Sequence, residues 1–480
     1  MKRIKKDPTF WLSAIPIVCL VALLANVIAI FGSDALLGGS QISLLVASGV
    51  CVAVSMAFCG SRWHEFEQAI QSKVKDTSIS IFILLFIGAL SASWMLSGIV
   101  PTLICYGIQL IHPSVFLVTA CVVSAVVSVM TGSSWTTIAT IGIALLGIGK
   151  AEGFHDGWIA GAIISGAYFG DKVSPLSDTT VLASSVSGTP LFEHIRYMMF
   201  TTTPTICITI IIFLFAGFFM GGMGHSDVSV YIEALHSRFC ISPWLMVVPV
   251  ITAWFIYKRL PALLILFAST AMATLTALIA QPAIISEVGG QGDYSYLNMF
   301  SGVVTMLASS TSIDTGHELI NSLVHTGGIA GMLNTIWLIL CATCFAGTMT
   351  ASGMLRCFLK SVFRGVVNSR VGLVTSSVLN GFAMNIITGD QYMSVVLTSN
   401  MFREEYERQG YENRLLSRSC EDGATVTSVL IPWNTCGLTQ STVLGVATIV
   451  YLPFCFFCYL SPLMSIIHSI FGWKIRKKLP

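Results

Sequence analysis

Residues 166–180 read GAYFGDKVSPLSDTT and place two acids, a lysine, a proline and four serine or threonine side chains inside an otherwise apolar segment. Pro175 has no backbone N–H, so it interrupts the hydrogen bonding of an α-helix. Backbone groups freed in this way are costly in apolar surroundings unless they line a site. The stretch therefore predicts a long helix over 157–188 that is unwound at 170–178 and carries a polar site at the break.

A second break of the same kind lies in the other half of the chain. Gly132 and Pro175 are separated by 43 residues, and Gly389 and Pro432 are separated by the same number. We call the offset from Gly132 to Gly389 the repeat interval. Residues 431–437 read IPWNTCG, so polar side chains again surround a proline in an apolar run. Two matched sets of interrupted helices indicate an internal duplication, which is typical of secondary transporters with a central binding site.

The composition is that of a membrane protein. The 480 residues have a mean hydropathy of +0.81 and only 10% charged side chains, against about 25% in soluble domains. About 20 apolar residues suffice to cross a bilayer, so we expect an all-α polytopic membrane protein. A net charge of +2 without a basic patch argues against a nucleic-acid partner, and the 14 scattered cysteines favour packing over metal binding. Runs without Asp, Glu, Lys or Arg cover 77–149, 197–226, 260–286, 319–355 and 423–473.

The distribution of Lys and Arg predicts how the chain crosses the membrane. Basic residues concentrate on the cytoplasmic side, and this rule places both termini in the cytoplasm and turns the second half upside down relative to the first. The first predicted inverted repeat covers 1–222, with a re-entrant hairpin at 113–149 and a broken helix at 157–188. An external linker follows at 223–242. The second inverted repeat covers 243–480, with a hairpin at 371–402, a broken helix at 419–440 and a last helix at 441–471.

The breaks and hairpin tips offer oxygen ligands for a small cation. Carboxylate, hydroxyl and backbone carbonyl oxygens are hard ligands that suit Na⁺, and Asp171, Asp178 and Asp390 are the acidic Na⁺ candidates. Lys172 is either a partner of Asp171 or a contact for a substrate carboxylate. The predicted ion- or substrate-binding residues are Ser133, Ser134, Asp171, Lys172, Ser174, Ser177, Asp178 and Thr179 from the first half, and Asp390, Asn434 and Thr435 from the second.

Simpler interpretations stand beside these. Asp390 could cap the second arm of its hairpin. Glu421 and Asp422 could sit near the cytoplasmic rim beside Arg418, and the charged stretch 403–418 reads most simply as a solvated cytoplasmic connection. The functional interpretation rests on cost, because an ionised aspartate inside a membrane is expensive unless it is paired, hydrated or cation-bound. One carboxylate then holds either a proton or Na⁺ but hardly both, which is the minimal machinery for exchanging them.

The stretch 166–180 closely resembles the signature GDxxSPxSDTT of the NhaC family of Na⁺/H⁺ antiporters, and Pro432-Trp433-Asn434-Thr435 is similar to that family's second motif. The resemblance implies an ion-transporter fold of two inverted repeats, coupling of Na⁺ to H⁺, and Asp171 and Asp178 as the acidic site positions. It also implies a bacterial inner-membrane location, elevator-like alternating access and a homodimer. No prosthetic group is indicated.

One other function remains open, and two more are disfavoured. The same family includes exchangers of organic anions such as malate and lactate, and carriers of amino acids, so a coupled organic solute stays open. An intramembrane enzyme is disfavoured, because His317-Glu318 lacks the second histidine of the HExxH motif. A channel would need a permanently open polar path, whereas two breaks in a duplicated chain suit alternating access better.

Overall fold

The computed structural model describes residues 7–31, 38–175, 177–220, 228–258, 260–316, 321, 324–362, 367–475 and 477. His317, Glu318, Leu176 and the first part of the predicted linker lie outside these residues. The described chain is helical, with two isolated β-bridges. Its helices are α1 Phe10–Phe31, α2 Gly39–Cys59, α3 Trp63–Leu96, α4 Ile99–Leu110, α5 Phe116–Thr131, α6 Ser134–Ala151, α7 Asp156–Val173, α8 Asp178–Ser187, α9 Leu191–Met220, α10 Val228–Arg238, α11 Val247–Tyr257, α12 Ala262–Ala280, α13 Pro282–Val288, α14 Tyr296–Ala308, α15 Ala330–Ala351, α16 Met354–Val362, α17 Arg370–Thr388, α18 Gln391–Arg408, α19 Asn413–Cys420, α20 Thr435–Leu444, α21 Thr448–Tyr451 and α22 Phe456–Phe471.

Length and apolar character identify the membrane-crossing helices. Within the described part of the chain, nine helices are long and apolar enough to span a bilayer, or up to eleven if each of two sharply bent helix pairs counts as one span. The expected all-α polytopic membrane protein is therefore confirmed. Both arms of the first predicted hairpin pass this test separately, as Pro113–Thr131, which includes α5, and as α6, so the re-entrant depth of the hairpin stays a prediction.

The first broken helix is present, but its break is shorter than predicted. Helix α7 continues through Asp171 and Lys172 to Val173, and α8 begins at Asp178. The expectation that 170–178 is unwound was therefore wrong at its N-terminal end. Pro175 explains the observed end, because a proline disfavours helical geometry in the residue before it. Ser174 accordingly has an extended backbone, with φ −73° and ψ 129°.

Helix boundaries recur at the repeat interval. Helix α18 begins and ends one repeat interval after α6, and α20 begins and ends one repeat interval after α8. Helix α19 begins one repeat interval after α7. Single hydrogen bonds recur too: the Ser128 hydroxyl donates to the Ala167 carbonyl at 2.6 Å, and the Asn385 amide donates to the Ala424 carbonyl at 2.6 Å. The coincidence of bounds and bonds supports the duplication, while the opposite orientation of the halves stays a prediction.

Close helix contacts in both halves depend on glycine. Helix α5 packs along α7, and a Cβ atom on Gly166 would lie 2.0 Å from the carbonyl oxygen of Cys121. At the equivalent place in the second half, a Cβ atom on Gly423 would lie 2.4 Å from the carbonyl oxygen of Val378 in α17. Any larger side chain would push these helices apart, so the glycines set the distance between each hairpin and its broken helix.

Several boundaries near the ends of the elements differ from the predictions. The expected last helix at 441–471 is wrong, because Gly445 ends α20 in a left-handed conformation with φ +64° and the final helix begins only at Phe456. The external linker predicted at 223–242 contains helix α10. The second broken helix begins at Asn413, with a π-helical turn at 421–425, rather than at residue 419.

Candidate functional site

Asp171 is the centre of the polar site at the first break. Its carboxylate lies in the last turn of α7 and is buried, with 6% of its surface exposed. The hydroxyl of Ser134 donates to Oδ2 at 2.6 Å, supported by the Ser134 backbone N–H at 3.3 Å, and the hydroxyl of Ser177 donates to Oδ1 at 2.6 Å. No ion pair joins Asp171 to a basic side chain among the described residues. The site thus holds a carboxylate that is bound only by neutral donors.

The hairpin tip brings Ser134 to Asp171. Gly132 ends α5 in a left-handed conformation, with φ +68°, which turns the chain sharply without strain. The Ser133 hydroxyl then caps α6 by accepting from the backbone N–H of Thr136 at 3.2 Å. Ser133 therefore shapes the tip, and Ser134 is the residue of the tip that contacts the carboxylate.

The remaining candidates of the first break divide into supporting and exposed groups. The Ser177 hydroxyl lies 2.9 Å from the Thr179 hydroxyl, which extends the row of oxygens beside Asp171. The Ser174 hydroxyl donates to the Val129 carbonyl at 2.8 Å and so joins the break to α5. Asp178 begins α8, is exposed, and makes no hydrogen bond through its side chain to another described residue. Asp178 therefore lies at the open side of the site.

The second half repeats the framework with different chemistry. Asp390 takes the position of Ser133 and caps α18, since its carboxylate accepts from the Met393 N–H at 2.8 Å. Gln391 takes the position of Ser134, and its side-chain oxygen accepts from the Ser428 hydroxyl at 3.0 Å, the counterpart of the bond from Ser134 to Asp171. A neutral amide and hydroxyl thus replace the acid and hydroxyl of the first half.

Asn434 and Thr435 complete the second break. The Asn434 amide donates to the Asn385 carbonyl at 3.2 Å, and its oxygen accepts from the Cys436 N–H at 3.0 Å, which caps α20. The backbone N–H of Thr435 donates to the Gly389 carbonyl at 2.8 Å and fixes α20 to the hairpin tip. Both residues are buried. Their contacts are those of a framework that holds the tip and the break together.

The two halves meet around a tyrosine that sequence reasoning missed. Tyr392, at the start of α18, lies within electrostatic range of Asp178, Asp171 and Asp390 and is 39% exposed. Helix α18 packs on α8, and α20 packs on α6, so each half supplies part of the wall around the other. The internal repeat could have pointed to Tyr392 from the sequence alone. Gln391 lies one repeat interval after the candidate Ser134, and Tyr392 is the next residue.

Lys172 does not face Asp171, contrary to the first of its two predicted roles. Its ammonium group pairs with the carboxylate of Asp422 and donates to the Ser461 hydroxyl at 2.7 Å. Both charged side chains are completely buried. The reason is helical geometry, since successive residues of a helix do not face each other. Lys172 and Asp422 therefore join the broken helices of the two halves.

The expectation that Arg403 to Arg418 form a solvated connection is wrong at its C-terminal end. Arg418 is completely buried and its guanidinium lies over the Tyr197 ring, 4.8 Å from the ring centroid. Glu421 and Asp422 are also completely buried, so they do not sit at a solvated rim. His194, which the sequence did not single out, is buried beside them with Nδ1 2.7 Å from the Ser417 hydroxyl.

A bound cation would be held mainly by one carboxylate. Among the described residues, no group of three or more His, Cys, Asp or Glu side chains could hold a metal ion. Of the acidic Na⁺ candidates, Asp171 has the surrounding hydroxyls, Asp178 is exposed and Asp390 caps a helix. The hydroxyl oxygens of Ser134, Ser177 and Thr179 are hard ligands placed beside Asp171. The arrangement suits a weakly held monovalent ion better than a tightly bound divalent one.

Known proteins resemble the chain over most of its length. The Na⁺/H⁺ antiporter family model matches residues 166–473, more than half of the chain. The chain is 34% identical over 432 residues to the Na⁺/H⁺ antiporter NhaC of Alkalihalophilus pseudofirmus, covering 89% of this chain and 90% of that protein. It is 32% identical to the malate-2H⁺/Na⁺-lactate antiporter of Bacillus subtilis, covering 90% and 89%. It is 33% identical to the arginine/ornithine antiporter ArcD of Halobacterium salinarum, covering 99% and 95%.

Proposed function

This chain belongs to the Na⁺/H⁺ antiporter family, and we propose that it is a secondary active transporter that exchanges Na⁺ for H⁺ across a bacterial cytoplasmic membrane. Relatives at 34% identity over about nine-tenths of the chain carry that activity in their names. The resemblance is to transporters and supports a function without covalent catalysis. The substrates are then the two cations themselves.

The environment of Asp171 is the observation that carries the proposal. A buried carboxylate that receives hydrogen bonds only from hydroxyl and backbone N–H groups keeps its negative charge, so binding of a cation or a proton is favourable. Either a proton or a Na⁺ ion neutralises the single negative charge of the Asp171 carboxylate, and binding of one excludes binding of the other. Ser134 and Ser177 donate to the carboxylate, and their oxygens turn towards the ion when Na⁺ binds. Competition at one carboxylate, on alternate sides of the membrane, is sufficient for exchange.

Alternating access follows from the duplicated architecture in this proposal. The two hairpins and two broken helices form the mobile, elevator-like unit, and α1 and α2 with their repeats form a scaffold in a homodimer. The recurrence of helix bounds at the repeat interval supports the grouping of the two hairpins with the two broken helices. Both termini face the cytoplasm in the proposed topology, and the second half is inverted relative to the first. Transporters with inverted repeats place their sites at the breaks, where Asp171 lies.

A coupled organic solute is the alternative function. Two relatives exchange organic solutes according to their names, malate and lactate in one case and arginine and ornithine in the other. The basic side chain available at the break for an anionic solute is Lys172, which is completely buried and paired with Asp422. The pairing of Lys172 therefore argues against an organic anion at this break, and it does not bear on cationic solutes such as arginine and ornithine.

Transport by purified protein in liposomes tests the proposal. We expect NaCl alone to drive proton movement, seen with a pH-sensitive dye, and ²²Na⁺ uptake to respond to a pH gradient. Asp171→Asn removes the charge but keeps the size and should abolish both signals. Asp293→Asn, a change at an exposed loop carboxylate, should behave like wild type. Asp178→Asn shows whether the exposed acid also serves transport.

The contrary outcome is equally specific. If wild-type protein moves no protons on addition of NaCl but does so when Na⁺ is given with malate, lactate or arginine, Na⁺/H⁺ exchange is overturned and organic solute exchange replaces it. A Lys172→Ala variant that keeps full solute transport would then remove Lys172 as the solute contact.

A further inference from the structure

A group of ionisable side chains lies inside the protein beside the Asp171 site, and Na⁺ binding does not use it. We call it the buried charge cluster. Every member is at most 1% exposed, and the members come from α7, α9, α19 and the π-helical turn that follows α19. The cluster consists of Lys172, His194, Arg418, Glu421 and Asp422.

Lys172 and Asp422 form an ion pair within the cluster. Lys172 donates to Asp422 and to Ser461, and the Ser461 hydroxyl donates to the same oxygen of Asp422 at 2.6 Å. The positive charge of Lys172 and the negative charge of Asp422 therefore balance. The remaining ionisable members have no such partner.

Glu421 is the carboxyl group without a partner. It is completely buried, and neither of its side-chain oxygens has a hydrogen-bond partner in the described structure. The Thr425 hydroxyl lies near this carboxyl group but does not complete a hydrogen bond of normal geometry. An ionised carboxylate in this position would be very costly, because both its hydration and its pairing would be lost. The arrangement described is therefore that of neutral, protonated Glu421.

Arg418 provides the means by which Glu421 could ionise. The guanidinium group is always charged, and none of its three nitrogens has a hydrogen-bond partner in the described structure. Its stacking on Tyr197 leaves those donors available. Arg418 precedes Glu421 by three residues, and residues three apart are neighbours on a helix surface. A small rearrangement of this helical turn would pair the two charges once Glu421 loses its proton.

The other groups that face Glu421 connect it to the cation site. Lys172 and Asp171 on α7, together with neighbouring Asp422, lie within electrostatic range of Glu421. Cys420 adjoins it on the same segment. His194 on α9 and His468 on α22 lie in turn within range of Asp422. A change of charge at Asp171 is therefore felt at Glu421.

We propose that Glu421 is a second proton-binding site of the transport cycle. When the site crosses the membrane in one direction, Glu421 and Asp171 each carry a proton. When it crosses in the other direction, Na⁺ is bound at Asp171, and Glu421 is ionised and paired with Arg418. Two protons then exchange for one Na⁺, and one net charge crosses the membrane per cycle. This inference rests on the proposed Na⁺/H⁺ exchange.

The test is the voltage dependence of ²²Na⁺ uptake into proteoliposomes. An inside-positive potential, set with K⁺ and valinomycin at equal pH on both sides, should drive Na⁺ inward in wild type, because two protons leave for each Na⁺ that enters. A potential of about 59 mV should accumulate Na⁺ about tenfold at equilibrium. Glu421→Gln should keep uptake driven by an acidic interior and lose the response to potential, because one proton per Na⁺ moves no net charge.

Controls separate the possible results. Glu404→Gln, the same change on an exposed part of α18, should respond to potential like wild type. Glu421→Asp keeps a carboxyl group and should retain the voltage response with a shifted pH profile. A voltage response that persists in Glu421→Gln, or is absent from wild type, overturns the second proton site.

Failure in other ways is also informative. Loss of both modes of transport in Glu421→Gln and Glu421→Asp, with monodisperse protein, would assign Glu421 a structural role and overturn the inference. If wild-type protein moves no protons on addition of NaCl, the proposed function itself fails. If wild type exchanges Na⁺ for protons without any response to potential, only the second proton site fails.

Discussion

At the scale of single residues, three aspartates near the helix breaks occupy three different environments. Asp171 is buried and receives two hydroxyl hydrogen bonds, Asp178 is exposed at the start of α8, and Asp390 caps α18. The neighbours of each carboxylate, rather than its position in a motif, decide what it can bind. Hydroxyl donors stabilise the ionised form of Asp171 without neutralising it. Binding of a cation or a proton therefore remains favourable.

Removing one of these hydroxyls should weaken the competition of Na⁺ against protons. In Ser134→Ala or Ser177→Ala, ionised Asp171 loses a donor and Na⁺ loses a ligand, so the proton affinity of Asp171 rises. A hydrogen bond to a charged group contributes about 1.5–3 kcal/mol, so we expect the half-saturating Na⁺ concentration at fixed pH to rise about 10-fold or more. The active pH range should move towards alkaline values.

The matched control for this prediction is another buried serine. Ser124 is completely buried and its hydroxyl has no hydrogen-bond partner in the described structure. Ser124→Ala should leave Na⁺ dependence unchanged, measured by ²²Na⁺ uptake over a range of concentrations. An unchanged Na⁺ dependence in both Ser134→Ala and Ser177→Ala would contradict the assignment of Asp171 as the cation site.

At the scale of helices, the breaks and close contacts follow from proline and glycine. Pro175 ends α7 near Val173, and Gly132 and Gly389 turn the hairpin tips through left-handed conformations. Gly166 and Gly423 allow the close approach of each hairpin to its broken helix. The breaks and the hairpin turns were predictable in kind from the sequence, because proline and glycine act on the backbone locally, whereas the close helix contacts depend on tertiary packing. The exact limits of the break were not predictable, since the last turn of α7 stays helical where this helix packs against α5.

Filling the close helix contacts should destabilise the protein. Gly166→Ala and Gly423→Ala each place a methyl group within 2.4 Å of a backbone carbonyl, which the backbone must move to accommodate. Overpacking costs about 1–3 kcal/mol, so we expect a lower midpoint of thermal aggregation in detergent for each variant. Equal losses in the two variants would fit their equivalent positions in the repeat.

Gly49→Ala provides the control, because a Cβ atom at Gly49 in α2 meets nothing within 4 Å. Alanine is favoured over glycine in a helix by up to about 1 kcal/mol, so this variant should be as stable as wild type or more so. A similar fall in the aggregation midpoint for all three variants would show that the close contacts are not the cause.

At the scale of the whole molecule, the two halves share a framework but differ in charge. The acid and hydroxyl pair of the first half, Asp171 and Ser134, is replaced by Ser428 and Gln391 in the second. The second half instead supplies Asp422 to neutralise Lys172 of the first. One half thus holds the proposed cation site while the other stabilises its surroundings. Exchange of a small cation needs one such site rather than two.

Equivalent positions at the two hairpins test the inversion. Lys150 at the end of α6 and Glu407 at the end of α18 are separated by the repeat interval, and both are partly exposed. In a cysteine-free background, Lys150→Cys should react with a membrane-impermeant maleimide in intact cells. Glu407→Cys should react only after the membrane is permeabilised, because inversion places it in the cytoplasm. Labelling of both positions from the same side would contradict the inverted repeat.

The sequence by itself determined the membrane class, the family, the two breaks and the duplicated spacing, because each depends on composition or on local backbone chemistry. Only the tertiary structure decided the partners of the charges. Lys172 faces Asp422 in the other half of the chain rather than adjacent Asp171, and Arg418 and Glu421 are buried although they adjoin a charged stretch. Ion pairing and burial depend on which distant helices pack together, and no local pattern encodes that choice. The sequence was enough to make Asp171 a candidate site acid, whereas its neutral donors and the unpaired Glu421 result from packing.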